Sequence, residues 1–448
     1  MKKPMTPPSQ RELLDKIAGR DDASSRLAEI IDLYSTGIAH DRYLPWDELR
    51  FRRPPEGFTH EEWWLAIKVA RRGMQRRLPL IDEKGRPFLY ALPDELLRET
   101  EFISANASGN IALPEVVTNP ATRDRYVVNS LIEEAITSSQ LEGAATTRAV
   151  AKDMIRSGRA PRDRSERMIL NNYMAMQRIG ELRNEKLTLE LIRQVHLIVT
   201  DVTLDDPGSA RRFQRSDEDR VAVYLDEQLL HRPPSADQLE ERLERLCEFA
   251  NSTQQEYYLP KILRALTVHF MMGYEHPFED GNGRTARALF YWSMLNQGFW
   301  LTEFLSVSRI LRRAPAKYAR SFLHTEQDDN DLTYFFSYQL GVLRRAVREL
   351  QDYLAHKMAE LRTFRESLSD APGTFNPRQI AVLQHALANP AGSYTVQSHK
   401  AAHRISTETA RKDLVGLEEL GLLFKRKTGK RFVFVAVPNV GERIEELR

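Results

Sequence analysis

A chain of 448 residues and 51.8 kDa exceeds what one hydrophobic core serves, so two or three domains are expected. With 42% hydrophobic and 29% charged residues, the composition excludes a disordered chain, and the absence of any run of 18 apolar residues excludes a membrane span. The net charge is only +2, and Cys247, the single cysteine, excludes intrachain disulfides and thiolate zinc sites. Met1 to Gln10 hold prolines and polar residues where an export signal needs an apolar stretch, so a reducing, cytoplasmic location is expected.

Residues 1–112 mix Pro, Trp and charge without a readable period and stay unassigned. From about Thr118 the apolar spacing turns helical, and the predicted class is mainly α. Val127, Leu131 and Ala135 predict a helix over about 125–143, ended by Gly143. Glu142 then falls in the last turn, where the helix dipole disfavours an anion, so it needs a cationic partner. Further helices are predicted over Asn172–Leu182, Thr188–Val199 and Pro260–Glu275. The alternation of Val221, Val223 and Leu225, closed by Arg232, Pro233 and Pro234, predicts a short hairpin. Leu332–Ser367 reads as one long helix or two, and Ser369 to Gly373 as a hinge at a domain boundary.

Beyond the hinge, Asn376 and Pro377 open a helix whose apolar face is Ile380, Leu383 and Leu387. A short helix over His399–Ile405 and a third, capped by Ser406, follow, and Leu422–Val437 alternates as a hairpin around Thr428 and Gly429. Three helices and a basic hairpin resemble a winged helix-turn-helix over residues 374–438, an α+β module. Between Thr374 and Ala436 ten basic residues face four acidic ones, so this segment carries +6 and the remainder −4. Duplex DNA is therefore an expected partner, read by Thr407, Arg411 and Lys412 on the third helix; a protein-binding or dimerising module is the alternative. His399 and His403 lie one turn apart with no third ligand nearby and read as surface histidines.

The chemistry concentrates in residues 276–287. Pro277 biases His276 out of helical geometry and presents the imidazole at a loop mouth. Gly281 and Gly283 permit a nest of backbone N–H groups at the N-terminus of the next helix, a site for anions. Arg284 and Arg287, three apart on that helix, reach one polyphosphate, and Asp280 is a hard oxygen ligand suited to Mg²⁺. His276 has an ordinary pKa of about 6.5, which suits proton removal near neutral pH. Together these groups point to nucleotide transfer onto a hydroxyl.

The segment matches His-x-Phe-x-(Asp/Glu)-Gly-Asn-Gly-Arg-x-x-Arg at every specified position and resembles the Fic (filamentation induced by cAMP) domain. The resemblance covers roughly residues 115–345 and includes the Gly208–Phe213 turn and the Pro233, Pro234 exit of the hairpin. It implies an all-helical core, assigned to 113–345, that transfers AMP from ATP with Mg²⁺ to a Ser, Thr or Tyr hydroxyl of a target protein. Residues 346–373 would be a helical linker and hinge. His276 would be the general base and Asp280 the Mg²⁺ ligand. Gly281, Asn282 and Gly283 would hold the α- and β-phosphates, with Arg284 on phosphate and Arg287 on the γ-phosphate. Phe278 would pack beneath the loop, and the hairpin over 221–230 would be a flap that pairs with the target segment. Ser138-x-x-x-Glu142-Gly143 resembles the family's inhibitory motif, whose glutamate pairs with the second arginine. Removal of AMP from a modified protein, or a nucleotide-sensing DNA-binding regulator, are the alternatives, and the oligomeric state, a homodimer included, stays open.

Overall fold

The computed structural model describes residues 3–34, 43–108, 120–225, 227–252, 258–369, 375–388, 392–428 and 431–446. The fold is mainly α. The chain divides into two compact units, one of Met1–Ile111 with Asn129–Arg348, the other of Ala112–Val128 with Glu349–Arg448.

In the first unit, α1 (Gln10–Ala18), α2 (Ala23–Asp32), the short α3 (Trp46–Leu49) and α4 (His60–Arg72) enclose a small core of Leu13, Ile17, Ile30, Leu49 and Trp64. Ser9 and Thr59 start α1 and α4 with reciprocal capping boxes to Glu12 and Glu62, so the first amides of both helices find acceptors. An antiparallel hairpin, β1 (Arg76–Ile81) and β2 (Pro87–Tyr90), and α5 (Asp94–Ala107) follow.

The motif-bearing part comprises α6 (Pro120–Leu141), α7 (Arg148–Ser157), α8 (Arg164–Glu181) and α9 (Leu189–Thr200), then the two-stranded β3 (Val223–Leu225) and β4 (Gln228–His231). It continues with α10 (Leu239–Asn251), α11 (Lys261–Glu275), α12 (Asn282–Asn296), α13 (Val307–Arg312), α14 (Pro315–Gln327) and α15 (Thr333–Ser369). Every residue from Ile262 to Met272 is buried, so α11 is the central helix of this part, apolar around nearly its whole circumference. Pro260 caps its start.

The N-terminal region, unreadable in sequence, braces the back of α11. Phe88 of β2 is fully buried and meets the edges of Phe270 and Tyr274 at centroid distances of 5.5 and 5.2 Å. Leu89 is bonded through its main chain to Asn330 and Leu332, at 3.0 and 2.8 Å. Arg242 of α10 donates to the Ile81 and Asp82 carbonyls and takes the buried Glu275 carboxylate with two nitrogens, at 2.9 and 2.8 Å. Removing one side of such a buried pair typically costs ~3–5 kcal/mol, so it fixes the end of α11.

The stretch expected as one long helix or two is a single helix, α15. The expected hinge residues Asp370 to Gly373, the wing residue Gly429 and the stretch 113–119 lie outside the described residues.

In the second unit, α16 (Pro377–Ala388), α17 (Val396–His403), α18 (Thr407–Glu419) and α19 (Val440–Glu446) accompany an antiparallel sheet. Its strands β5 (Ser393–Tyr394), β6 (Leu423–Thr428) and β7 (Arg431–Ala436) run in the order β5-β7-β6. Leu383, Leu414, Leu417, Leu423 and Phe434 form its core. His399 is not the surface residue expected. It is 4% exposed and its Nε2 lies 3.1 Å from Asp413 Oδ2, within a network that Arg378 and Asn376 complete. The buried Asp413 needs those donors, and the short helix turns His399 inward to supply one.

Candidate active site

Helix α11 ends where Pro277 forbids its continuation. His276 caps it at φ 44°, ψ 55°, a left-handed conformation that costs a residue with a β-carbon on the order of 1–3 kcal/mol. Around it, burial, the neighbouring His231 and Arg220 push the imidazole down to about 4, against a backbone hydrogen bond with Gly273 and the charge of Glu142. The ring is therefore neutral throughout the neutral range and keeps a lone pair on the nitrogen that Gly273 does not occupy.

The turn after His276 is closed by its own side chains. Asn282 Oδ1 accepts the Phe278 N–H at 2.9 Å while Nδ2 donates to the Phe278 carbonyl at 2.7 Å. The Asn282 side chain is thereby committed, and only its main chain is available to an anion. Gly281, at φ +82°, caps α12, and a β-carbon there would collide with Thr200. The Asp280 carboxylate is nearly half exposed, with Oδ2 3.4 Å from Arg284 Nη2 and 3.6 Å from Arg164 Nη2.

Arg284 and Arg287 differ sharply in surroundings. Arg284 is 2% exposed and donates from Nη1 to the Val199 carbonyl at 2.7 Å, but its buried Nε has no partner. An orphaned guanidinium N–H behind a helix N-terminus fits a phosphate oxygen. Arg287 is held by the protein instead. Its Nε donates to Ser138 Oγ at 2.9 Å, and Nη2 donates to the Ser138 carbonyl at 3.0 Å and to Glu142 Oε1 at 2.9 Å. Burial would lower this guanidinium most, yet the charge and hydrogen bond of Glu142, joined by Tyr318 and Glu134, together outweigh it and hold the group above its ordinary value. Glu142 sits one residue beyond α6, where Gly143 turns the chain at φ +91°. A β-carbon on Gly283 would run into Glu142 Oε1, so the close approach of carboxylate and anion loop requires glycine there.

Two supporting residues escaped the sequence reading. His196 of α9 stacks on Phe278 at 3.6 Å and 6°, donates from Nε2 to the Asp280 carbonyl at 2.9 Å, and accepts the Arg211 N–H at Nδ1. Burial drives it down to about 4, so it is a neutral strut beneath the loop. Its only signal was one polar letter on the buried face of Leu191, Ile192, Val195 and Val199. Glu134, 1% exposed on α6, accepts from Ser308 N at 3.0 Å, from Ser306 Oγ at 3.1 Å and from Ser308 Oγ. It anchors the helix that delivers Ser138 and Glu142, and no motif announced it.

The hairpin β3–β4 overlaps the expected flap of 221–230 and ends one residue beyond it, at His231; Asp226 lies outside the described residues. Thr407, Arg411 and Lys412 are exposed on α18 of the second unit. Among the described residues, no three His, Cys, Asp or Glu side chains converge as a metal cluster, and no helix is long and apolar enough to cross a membrane.

Residues 186–294 match the model of the Fic/DOC family, and this segment is a Fic domain. The chain is 22% identical over 228 residues to protein adenylyltransferase Fic of Nematostella vectensis, covering 50% of this chain and 48% of that protein. It is 27% identical over 304 residues to the protein of the same name from Drosophila grimshawi, 63% of this chain and 56% of the relative. The chain thus spans about half the length of the curated relatives it matches. A Fic family protein from Desulfovibrio desulfuricans G20 superposes with TM-score 0.48 at 19% identity, over 77% of this chain and 96% of that one. A fragment of Fic-1 from C. elegans gives 0.46 at 17% identity, over 80% and 90%.

Gly283→Ala should destabilise the protein by ~1–3 kcal/mol, because its methyl group displaces the Glu142 carboxylate. Adding Glu142→Gly should recover most of that loss. Denaturant unfolding of the parent, both single variants and the double variant checks this, and losses that simply add would contradict the contact.

Proposed function

We propose that the chain is a protein adenylyltransferase, moving AMP from ATP to a Ser, Thr or Tyr hydroxyl of another protein, and that Glu142 restrains it. The observation that carries this reading is the hold on Arg287: beside a helix N-terminus built for anions, the strongest cation is taken by Ser138 and Glu142. The matched family and the names of the relatives support the same direction.

In this reading, main-chain N–H groups of residues 281–283 and the Arg284 guanidinium hold the phosphates, and Arg287, once released, takes the γ-phosphate and fixes the α-phosphate for in-line attack. A target hydroxyl approaching along β3–β4 gives its proton to the free nitrogen of His276 as its oxygen bonds to the α-phosphorus and pyrophosphate departs. Asp280 suits Mg²⁺, which binds through one or two carboxylates, waters and phosphate oxygens; the ion would neutralise charge on the phosphates. Removal of AMP would need Glu142 to align a water, whereas its commitment to Arg287 supports restraint. The neutral His276 speaks for chemistry over mere nucleotide sensing. A cytoplasmic setting, supported by the lone buried Cys247, belongs to the same reading.

We read the second unit as a winged helix that meets duplex DNA, supported by the helices α16, α17 and α18, the three-stranded sheet and the exposed Thr407, Arg411 and Lys412.

Two measurements test these readings. In a Glu142→Gly background, His276→Ala should lower label transfer from α-labelled ATP by ~10²- to 10⁴-fold while nucleotide binding persists. Because neutral His276 is the active form, activity is lost as pH falls through its depressed pKa, which places the acid limb of kcat/KM near pH 4. Bound phosphates raise that pKa, so the limb of kcat should lie higher. Second, Arg411→Glu with Lys412→Glu in the full chain should abolish a mobility shift that the parent shows at about 50 mM salt, and each lost phosphate contact should flatten the salt dependence by roughly one.

A further inference from the structure

His231 closes β4 and lies outside every motif in the sequence. Its side chain is 8% exposed and both ring nitrogens face acceptors. Nδ1 lies 2.7 Å from Glu326 Oε2 on α14, and Nε2 lies 2.7 Å from the Tyr274 carbonyl in the last turn of α11. Neither a carboxylate nor a carbonyl can donate, so a neutral ring satisfies one of them and an imidazolium satisfies both. Just beyond, Arg220 donates to the Pro234 carbonyl at 2.8 Å and to the Glu275 carbonyl at 2.5 Å. His231 and Arg220 therefore cap adjacent carbonyls at the end of the helix that presents His276, where the dipole favours positive charge.

We propose that His231 is a positioning residue whose imidazolium pins the β3–β4 flap to α14 and to the last turn of α11, and that loss of its proton releases the flap. The proposal rests on reading that hairpin as the segment that docks the target. The charged and titratable neighbours are Glu326 from α14, Tyr274, Glu275 and His276 from α11, Arg242 from α10 and Arg220 from the preceding loop. Arg242 is engaged by Glu275, and His276 is held neutral, so neither competes for the Glu326 carboxylate. The Tyr274 ring packs at 5.1 Å and stays protonated, its phenol pushed up by burial and Glu275. Burial opposes the charge on His231, but Glu326, the Tyr274 carbonyl and Glu275 outweigh it and hold the ring above its ordinary value. For a histidine raised in this way, the latch is complete below about pH 6.5 and is lost as pH rises through the higher, folded-state value.

The test is amide hydrogen exchange of the flap in the full-length chain from roughly pH 6 to 9, corrected for intrinsic exchange. Flap protection in the parent should fall about tenfold per pH unit above a midpoint, while α12 stays protected. His231→Arg, which keeps a cation that does not titrate, should give pH-independent protection, and Glu326→Gln should move the midpoint to lower pH. Constant parent protection across the range, or an unchanged midpoint in Glu326→Gln, overturns the proposal; the second variant decides if His231→Arg does not fold. Transfer rates in the Glu142→Gly background separate this from the functional reading. An alkaline limb that disappears with His231→Arg supports both, and one identical in the two forms overturns the latch. Flap exchange that follows His231 while no AMP transfer occurs under any condition upholds the latch and overturns the functional reading alone.

Discussion

A guanidinium buried in protein needs acceptors for its charge, and Arg287 has Glu142. The arginine is 4% exposed and the glutamate 32%, so the cation is fixed in the interior while its partner lies toward solvent and can be exchanged. Everything around the pair keeps that exchange within reach. Ser138 holds the guanidinium by Oγ and carbonyl, Gly143 turns the chain away, and Gly283 leaves room for the carboxylate. In the proposed reading, the Glu142 carboxylate stands where the terminus of a polyphosphate would lie.

The scaffold serves that site from two directions. From below, His196 and Phe278 stack under the loop, and Asn282 ties the loop to itself, so its main-chain donors are set before any ligand arrives. From behind, the N-terminal region packs Phe88 against α11, and Arg242 ties the same hairpin to Glu275, one residue before the strained His276. A left-handed histidine persists only where its surroundings over-determine it, and these contacts supply that constraint. Glu134 does the equivalent for α6, holding the helix that carries Ser138.

The parts most legible in sequence were those that combine local rules with a short motif. Pro277 announced the end of α11, the glycines announced the tight turn that opens α12, and the misfit of Glu142 with its helix dipole announced a cationic partner. What stayed hidden depends on distant contacts. His196, Glu134 and His231 acquire meaning only from residues 84, 172 or 95 positions away. The first hundred residues carry ordinary capping boxes and an ordinary core, yet no period revealed them, because short helices and a hairpin interrupt one another. His399 was misread for a similar reason: burial was set by Asp413, fourteen residues on, and not by its own helix.

The central claim is that Glu142 acts through Arg287, and a double-mutant cycle on initial transfer rates measures it directly. A charge-assisted pair of this kind is worth ~1.5–3 kcal/mol, so Glu142→Gly should raise the rate roughly 10- to 150-fold when Arg287 is present. With Arg287→Ala there is no guanidinium to release, and the double variant should be as slow as Arg287→Ala alone. Equal activation by Glu142→Gly with and without Arg287 would contradict the account.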